Sequence, residues 1–421
     1  MKILAIETSC DETSIAILDT KNSRLEVLSN VIASQVKIHQ KWGGVVPTLA
    51  KREHQKNLAP VLTKALKEAG MLKKSKVAVK NSKLKEILIR EECLYEKLKK
   101  FLEQYQKPKI DSIAVTVGPA LEPALWVGVN FAKALSFFWQ KPILSINHVE
   151  AHIFANFIQN QISDIKFPAI CLVVSGGHTG LILMKGIRRY REIGETRDDT
   201  AGECFDKAAR ILGLGYPGGP AIAKEAQKYI GVTYVKLPRP MIYQKNYDFS
   251  FSGLKTAVLY DFRSRSSKIR KSKEYIRAMC AEIQQAIIDV LIHKTLKAAK
   301  NFKAKSVILG GGVAANNELK KQFQEKVKKD YNPPATPYIK FYIPDSKYCT
   351  DNAAMIAVTA YFHREEATSR WQKIKVNANL KIGDEVYPLR GLPSSPPSLL
   401  LRKSSVNKKP RQIVFISWLH L

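Results

Sequence analysis

One pattern occurs twice in the chain and limits its fold more than any other feature. Lys2–Ile6 is an apolar run, Glu7–Thr13 is polar and small, and Ser14–Leu18 is apolar again. A turn at Asp19–Ser23 then leads into Leu25–Ala33. The same order returns later. Ile170–Val174 runs into Ser175-Gly176-Gly177-His178-Thr179-Gly180, then Leu181–Met184, a turn at Lys185–Arg188, and Tyr190–Ile193. Short apolar runs bounded by turn residues read as strands. Two copies of strand, hydroxyl-and-glycine turn and strand predict duplicated α/β lobes facing one another. Apolar strands mixed with helical stretches such as Ala278–Phe302 fit a sheet covered on both faces.

The chain has room for such a plan, since 421 residues suffice for two or three domains. With 45% apolar and 25% charged residues, disorder and collagen are excluded. No run approaches the roughly 18 apolar residues of a membrane span. Glu7 and Asp11 come too early for a secretory signal, so a cytoplasmic protein without membrane contact is expected. Six cysteines stand singly, which suits reduced thiols rather than a disulfide framework. Lys and Arg number 68 against 37 Asp and Glu, a formal charge of +31. That surplus points to a polyanionic partner such as nucleic acid, although unstructured basic segments also raise it.

Three segments interrupt the duplicated plan. Residues 71–107 are rich in Lys and Glu, with Leu84, Ile87, Leu88, Leu94 and Leu98 at helical spacings, and read as a charged helical insertion. Residues 330–338 read as a loop because of their paired prolines. Residues 386–421 combine prolines, serines and basic residues without an acid, and read as a mobile basic tail.

No Gly-Lys-Ser/Thr occurs, so a P-loop is absent. Gly213-Leu-Gly215-Tyr-Pro-Gly218 matches G-x-G-x-x-G but follows an apparent helix, Cys204–Leu212, whereas the dinucleotide fingerprint needs strand, turn, helix. The two lobe turns are better candidates, since hydroxyls and backbone N–H groups between adjacent strands can cradle phosphate. Val307–Asn317 adds a buried strand, three glycines that let a ligand approach the backbone, and an Asn-initiated helix. Together these favour a nucleotide held between two lobes.

His148-Val-Glu-Ala-His152 places two imidazoles one helical turn apart, within reach of one ion. A zincin would need Glu directly after the first His, where this chain has Val149; Glu150 projects to another side. On spacing alone such a pair also serves packing or capping. Asp351, before an apolar run, is a candidate third ligand, and an Asp there also suits a helix cap.

Taken together, these strings resemble one family, the bacterial tRNA N6-adenosine threonylcarbamoyltransferases (TsaD). The resemblance covers most of residues 1–370. It rests on IETSCDETS, WGGVVPTLAKREHQKNL from Trp42, HVEAH from His148, and LVVSGGHTG. It continues through GETRDDTAGECFDKAARILGLGYPGGP from Gly194, FSFSGLKTAV from Phe249, GGGVAANNEL and CTDNAAMIA. The resemblance implies an actin-like fold related to hexokinase and Hsp70. Residues 1–147 would form the first lobe, 148–349 the second, and 350–385 a segment returning to the cleft. It implies transfer of threonylcarbamoyl from L-threonylcarbamoyl-adenylate to N6 of the adenosine 3′ of the anticodon, in tRNAs reading codons that begin with A. One divalent metal is implied, iron before zinc, on His148, His152 and Asp351. Val173, Val174, Ser175, Gly176 and Gly177 would line the adenylate's site, completed by Asp206, Gly219 and Asn316. Asp11 and Glu12 are candidates for orienting or deprotonating the amine, or for capping their turn. The implied partners are tRNA, a TsaB-like paralogue and a TsaE-like ATPase.

Two positions depart from the family pattern: Ala120 stands where Gly-Pro-Gly-Leu is usual, and Ala223 where some relatives carry an acidic ligand. Two other activities suit the same fold, a small-molecule kinase, which would leave the histidines without a task, and a non-catalytic tRNA-binding subunit.

Overall fold

The computed structural model describes residues 1–21, 24–75, 81–158, 160, 164–231, 234–331 and 339–384. The basic tail and most of the proline-rich loop, residues 332–338, lie outside the described residues. In the first half, β1 (Lys2–Glu7), β2 (Glu12–Lys21), β3 (Arg24–Ser34), β4 (Ser112–Gly118) and β5 (Ile143–Asn147) form a sheet ordered β3-β2-β1-β4-β5. Its helices are α1 (Val36–His39), α2 (Pro47–Glu68), α3 (Asn81–Ile87), α4 (Glu92–Gln104), α5 (Glu122–Trp139) and α6 (His148–Phe154). The second half holds β6 (Ala169–Val174), β7 (Thr179–Gly186), β8 (Arg189–Glu195), β9 (Ser306–Gly310) and β10 (Lys340–Tyr342), ordered β10-β9-β6-β7-β8. Here lie α7 (Ala201–Ile211), α8 (Gly218–Ala226), α9 (Ser252–Ser264), α10 (Ser267–Arg270), α11 (Lys273–Asn301), α12 (Asn317–Tyr331) and α13 (Ser346–Cys349). Last comes α14 (Ala353–Phe362).

The two sheets share one topology. In each, the first strand is central, pairs antiparallel with the second, and pairs parallel with the fourth. The third and fifth strands extend the two sides. The duplicated pattern of the sequence is thus a duplicated sheet. Ile3–Ile6 and Ile170–Val174 are buried on both faces, as parallel pairing under helices requires.

One core cluster joins the sheets. It contains Ile3, Ala5 and Leu18 from the first, Cys171, Val173 and Met184 from the second, and residues of α6 and α14. Helix α14 therefore returns the chain to β1, β2 and α6. A second cluster packs the other face of the second sheet on α11, with Phe249, Tyr275 and Ile287 fully buried.

The charged insertion is better packed than its composition suggests. Leu84, Leu88, Leu94 and Leu98 are buried, α4 lies on α2, and α3 lies against α5. The Gly213 motif is a helix ending. Gly213 takes φ +70°, its N–H donates to Arg210 O, and the Leu214 N–H donates to Ala209 O, a Schellman stop for α7. The glycine run after β9 corrects one expectation. A Cβ on Gly310 would stand 2.7 Å from His152 O, and one on Gly311 (φ +92°) 2.3 Å from Val174 O. These two glycines admit protein backbone, and a Cβ on Gly312 would meet only the Thr350 side chain, at 4.0 Å.

Candidate metal centre and donor cleft

Asn147 ends β5 and caps α6, its Oδ1 accepting the Val149 and Glu150 N–H groups at 2.9 and 3.1 Å. The cap makes His148 the first helical residue and sets His152 one turn later, with ring centroids 4.7 Å apart. Asp351 does not cap α14. Asn352 does, through Met355 N–H at 3.1 Å, so the Asp351 carboxylate is left to face the histidines. Asp351 Oδ1 lies 3.5 Å from His148 Nε2 and 3.2 Å from His152 Nε2.

These contacts are not hydrogen bonds for His152: both its ring nitrogens are buried and lack a hydrogen-bond partner. Ligand atoms about 2.0–2.1 Å from one tetrahedral ion would sit roughly 3.3 Å apart; the two edges to Asp351 are close to that, and all three ligand atoms lie within 4.8 Å of one another. The three side chains fit a divalent metal, and an orphaned buried imidazole argues for one. Among the described residues, this is the one group of three or more His, Cys, Asp or Glu so converged.

Glu7 supports the centre from below. Fully buried, it meets His148 Nδ1 at 3.2 Å and accepts from Thr116 Oγ1 at 2.7 Å and Ser9 N–H at 2.5 Å. Burial opposes charge on His148, but Asp351 and Glu7 outweigh it and hold its pKa up at about 9. Burial also raises the Asp351 and Glu7 carboxyls, yet the His148 charge carries both below their ordinary values. His152 is lowered by burial, and burial beside the other two rings drives His178 down to about 3. Glu150 turns away, as its helical position requires. Its Oε1 accepts from Tyr190 at 2.6 Å and meets His363 Nε2 at 2.9 Å, while His363 Nδ1 meets Glu366 at 3.1 Å.

Next to the histidines is the Ser175 turn, closed by Ser175 N–H to His178 O and His178 N–H to Ser175 Oγ. Gly176 and Gly177 border open space, as an approaching ligand needs. Val173 and Val174 are buried strand residues, so only their backbone is available there. Thr200 caps α7 and donates to Gly176 O at 2.7 Å. Asp206 accepts Gly218 N–H at 2.6 Å, and burial lifts it to about 6. Gly219 has no close neighbour, whereas Gly218 packs against Asp206 and Phe205. Asn316 caps α12 through Leu319 N–H and donates to Gln284.

Asp11 lies in the first lobe's turn and Glu12 opens β2, both beside His54 of α2, which meets Thr13 Oγ1 (2.8 Å) and Cys10 O (2.9 Å). The charge of Asp11 reaches Asp206 of α7 and Tyr216 before α8, so the first lobe's turn lies near that part of the second lobe. Arg210 donates to Gly43 O and ties the lobes at its rim. Burial and then Asp11 push Glu12 up to about 10, so it holds its proton at neutral pH. The unfolded chain releases that proton above about 4.5. The preference of the folded state for neutral Glu12 therefore stabilises it fully below pH 4.5 and is lost as pH climbs toward 10. Glu12→Gln should accordingly unfold later than the parent at pH 8, by about 1–2 kcal/mol after solvent screening. The gap should close at pH 5. Thermal unfolding at the two pH values checks this, and an equal or lower midpoint at pH 8 contradicts it.

A family model for TsaD, tRNA N6-adenosine threonylcarbamoyltransferase, matches residues 26–81 and 92–358. The chain belongs to the TsaD family. Curated tRNA N6-adenosine threonylcarbamoyltransferases are similar over most of the chain. That of Persephonella marina is 43% identical over 370 residues, covering 87% of this chain and 91% of its own. That of Syntrophomonas wolfei is 42% identical over 361 residues, covering 86% and 92%. Among solved structures, full-length HypF in a phosphate- and nucleotide-bound form aligns with 87% of this chain and 46% of its own. Its TM-score is 0.50 at 11% identity, a likeness of fold alone. The fold is the actin-like one. The stretch 82–91 that the TsaD model leaves unmatched falls within the charged insertion.

Glu7 and His178 lie in the TsaD strings IETSCDETS and SGGHTG, but the sequence reading gave neither a role. The available signal was a carboxylate closing an apolar strand, which folding buries and must pair. Among the described residues, no helix is long and apolar enough to cross a membrane.

Proposed function

We propose that this chain is a tRNA N6-adenosine threonylcarbamoyltransferase that takes its acyl group from L-threonylcarbamoyl-adenylate. The acceptor is the adenosine 3′ of the anticodon in tRNAs reading ANN codons. The observation that carries the proposal is the convergence of His148, His152 and Asp351 beside the open Ser175–Gly177 turn. Two imidazoles and one carboxylate with free positions suit iron(II) better than zinc. Once bound there, the ion would supply Lewis-acid polarisation of a donor oxygen.

The chain's own groups do the rest. The Gly176 and Gly177 N–H groups hold the phosphate, and Asp206, Gly219 and Asn316 bound the nucleoside. The adenosine N6 lone pair attacks the carbamoyl carbon, the carbon–oxygen bond to phosphate breaks, and AMP departs with that electron pair. The adenine amine is a poor nucleophile, so positioning supplies much of the rate. Glu12 carries its proton at neutral pH, so it orients the amine, and Asp11 accepts the proton N6 loses. A TsaB-like paralogue and a TsaE-like ATPase act with it in the cytoplasm.

The test is incubation with both partners, threonylcarbamoyl-adenylate and unmodified tRNA, followed by nucleoside mass spectrometry. Threonylcarbamoyladenosine is the expected product. Its absence with all components present overturns the assignment. Metal analysis of the purified chain distinguishes iron from zinc.

A further inference from the structure

Helix α9 starts at the donor cleft. Asp198 accepts from Ser252 Oγ at 2.7 Å and Phe251 N–H at 2.8 Å, Lys255 pairs with Asp199 at 3.4 Å, and Thr200 reaches the Ser175 turn. From there the helix runs about 18 Å at 1.5 Å per residue. Gly253, Thr256, Tyr260 and Arg263 follow one another at helical spacing along its outer side. Gly253 has nothing within 4 Å of a Cβ, and Tyr260 is 67% exposed.

The helix ends in a basic elbow. Residues 263–273 hold Arg263, Arg265, Lys268, Arg270, Lys271 and Lys273 and no acid. Two of these cations are used internally: Arg265 pairs with Asp261 at 2.7 Å, and Arg270 lies over Phe262 at 5.7 Å. Packing therefore fixes the elbow's shape. Arg263, Lys268, Lys271 and Lys273 are exposed, and none makes an ion pair among the described residues. Tyr234, half exposed, stands near enough to Asp261, Arg265 and Glu274 to feel their charges.

Uncompensated cations on a rigid turn, beside exposed aromatic rings, suit a polyphosphate backbone with unstacked bases. We infer that the α9 stripe and the 263–273 elbow form the surface on which the RNA substrate docks. The elbow takes stem phosphates, Tyr260 offers a face to a base, and the stripe leads the loop to the cleft. The inference rests on the proposed transferase function for the identity of the RNA.

The test compares two triple variants that remove equal charge from exposed positions: Lys268→Ala/Lys271→Ala/Lys273→Ala, and Lys321→Ala/Lys328→Ala/Lys329→Ala on α12. Unmodified tRNA is titrated against the full chain with its partners at several salt concentrations. The elbow variant should bind at least about tenfold more weakly. The slope of log affinity against log salt should fall by about 2–3, since each lost phosphate contact removes somewhat less than one unit. KM for tRNA should rise with kcat and the KM for threonylcarbamoyl-adenylate unchanged. The α12 variant should bind within about twofold of the parent. Tyr260→Ala should weaken binding without changing the slope. Equal losses in both triple variants, or unchanged tRNA affinity in the elbow variant, overturn the surface. Loss of partner-protein binding alone overturns it in favour of a protein interface. A parent that binds tRNA through the elbow yet never modifies it supports the surface while ending the transferase assignment.

Discussion

The His148→Ala/His152→Ala variant is expected to lose its bound metal and at least about 10²–10³-fold of its transfer rate. Two of the three converging ligands disappear, and one carboxylate cannot hold a divalent ion against water. The same change leaves Glu7 and Asp351 facing each other without the His148 charge between them. A loss of about 3–5 kcal/mol in stability would follow, as for other buried pairs deprived of one partner. His152→Gln separates the two effects, because it keeps a polar side chain of similar reach while removing an imidazole. Metal content, tRNA binding and nucleoside formation should be measured together. Retained tRNA binding with lost metal and lost transfer is the expected outcome. A double variant that keeps parental metal content would show that the ion, if any, sits elsewhere.

Glu7→Gln tests the support beneath the centre. The amide retains the length of the side chain, and its single oxygen can still accept from Ser9 N–H while its NH2 group turns donor toward Thr116 Oγ1, but it no longer carries the charge that faces His148. Loss of such an outer partner commonly weakens metal binding about 10–100-fold. The pH must be chosen with care. In the metal-free chain His148 holds its proton up to about pH 9, so metal uptake below that pH must expel it, and affinity rises as pH rises. Without Glu7 that pKa falls, and proton competition eases at neutral pH. The full loss of affinity should therefore appear near pH 9.5, together with a downward shift of the pH range over which uptake improves. Metal titrations of parent and variant across pH 6–10 decide the matter. Equal affinity at pH 9.5 would make Glu7 a packing residue only. The raised pKa also predicts that this pair's contribution to metal-free stability is complete below about pH 6.5 and is lost as pH rises through 9.

What could be read from the sequence follows from how far each interaction reaches along the chain. The strands and the His148–His152 spacing depend on neighbours a few residues away, and both lobes stood out because the pattern is repeated. Asp351 could be guessed but not placed, since its approach to α6 spans some 200 residues. Its release from capping depended on Asn352, one position further on. Glu7 was hidden for the same reason: its partners Thr116 and His148 come from other strands and helices. Gly310 and Gly311 looked like ligand contacts because a missing side chain does not say what comes close. The insertion read as a charged helical segment, and the leucines at helical spacings in it are buried where α4 packs on α2 and α3 on α5.

The shared core between the sheets gives the centre a second meaning. Helix α6 follows the last strand of one half and is buried where the halves join, and Asp351 arrives half-buried beside it from the far end of the other. An ion gripped there would act as a rivet. Sliding one half past the other would pull its ligands apart, and the Arg210 contact to Gly43 O holds the same two halves at the rim.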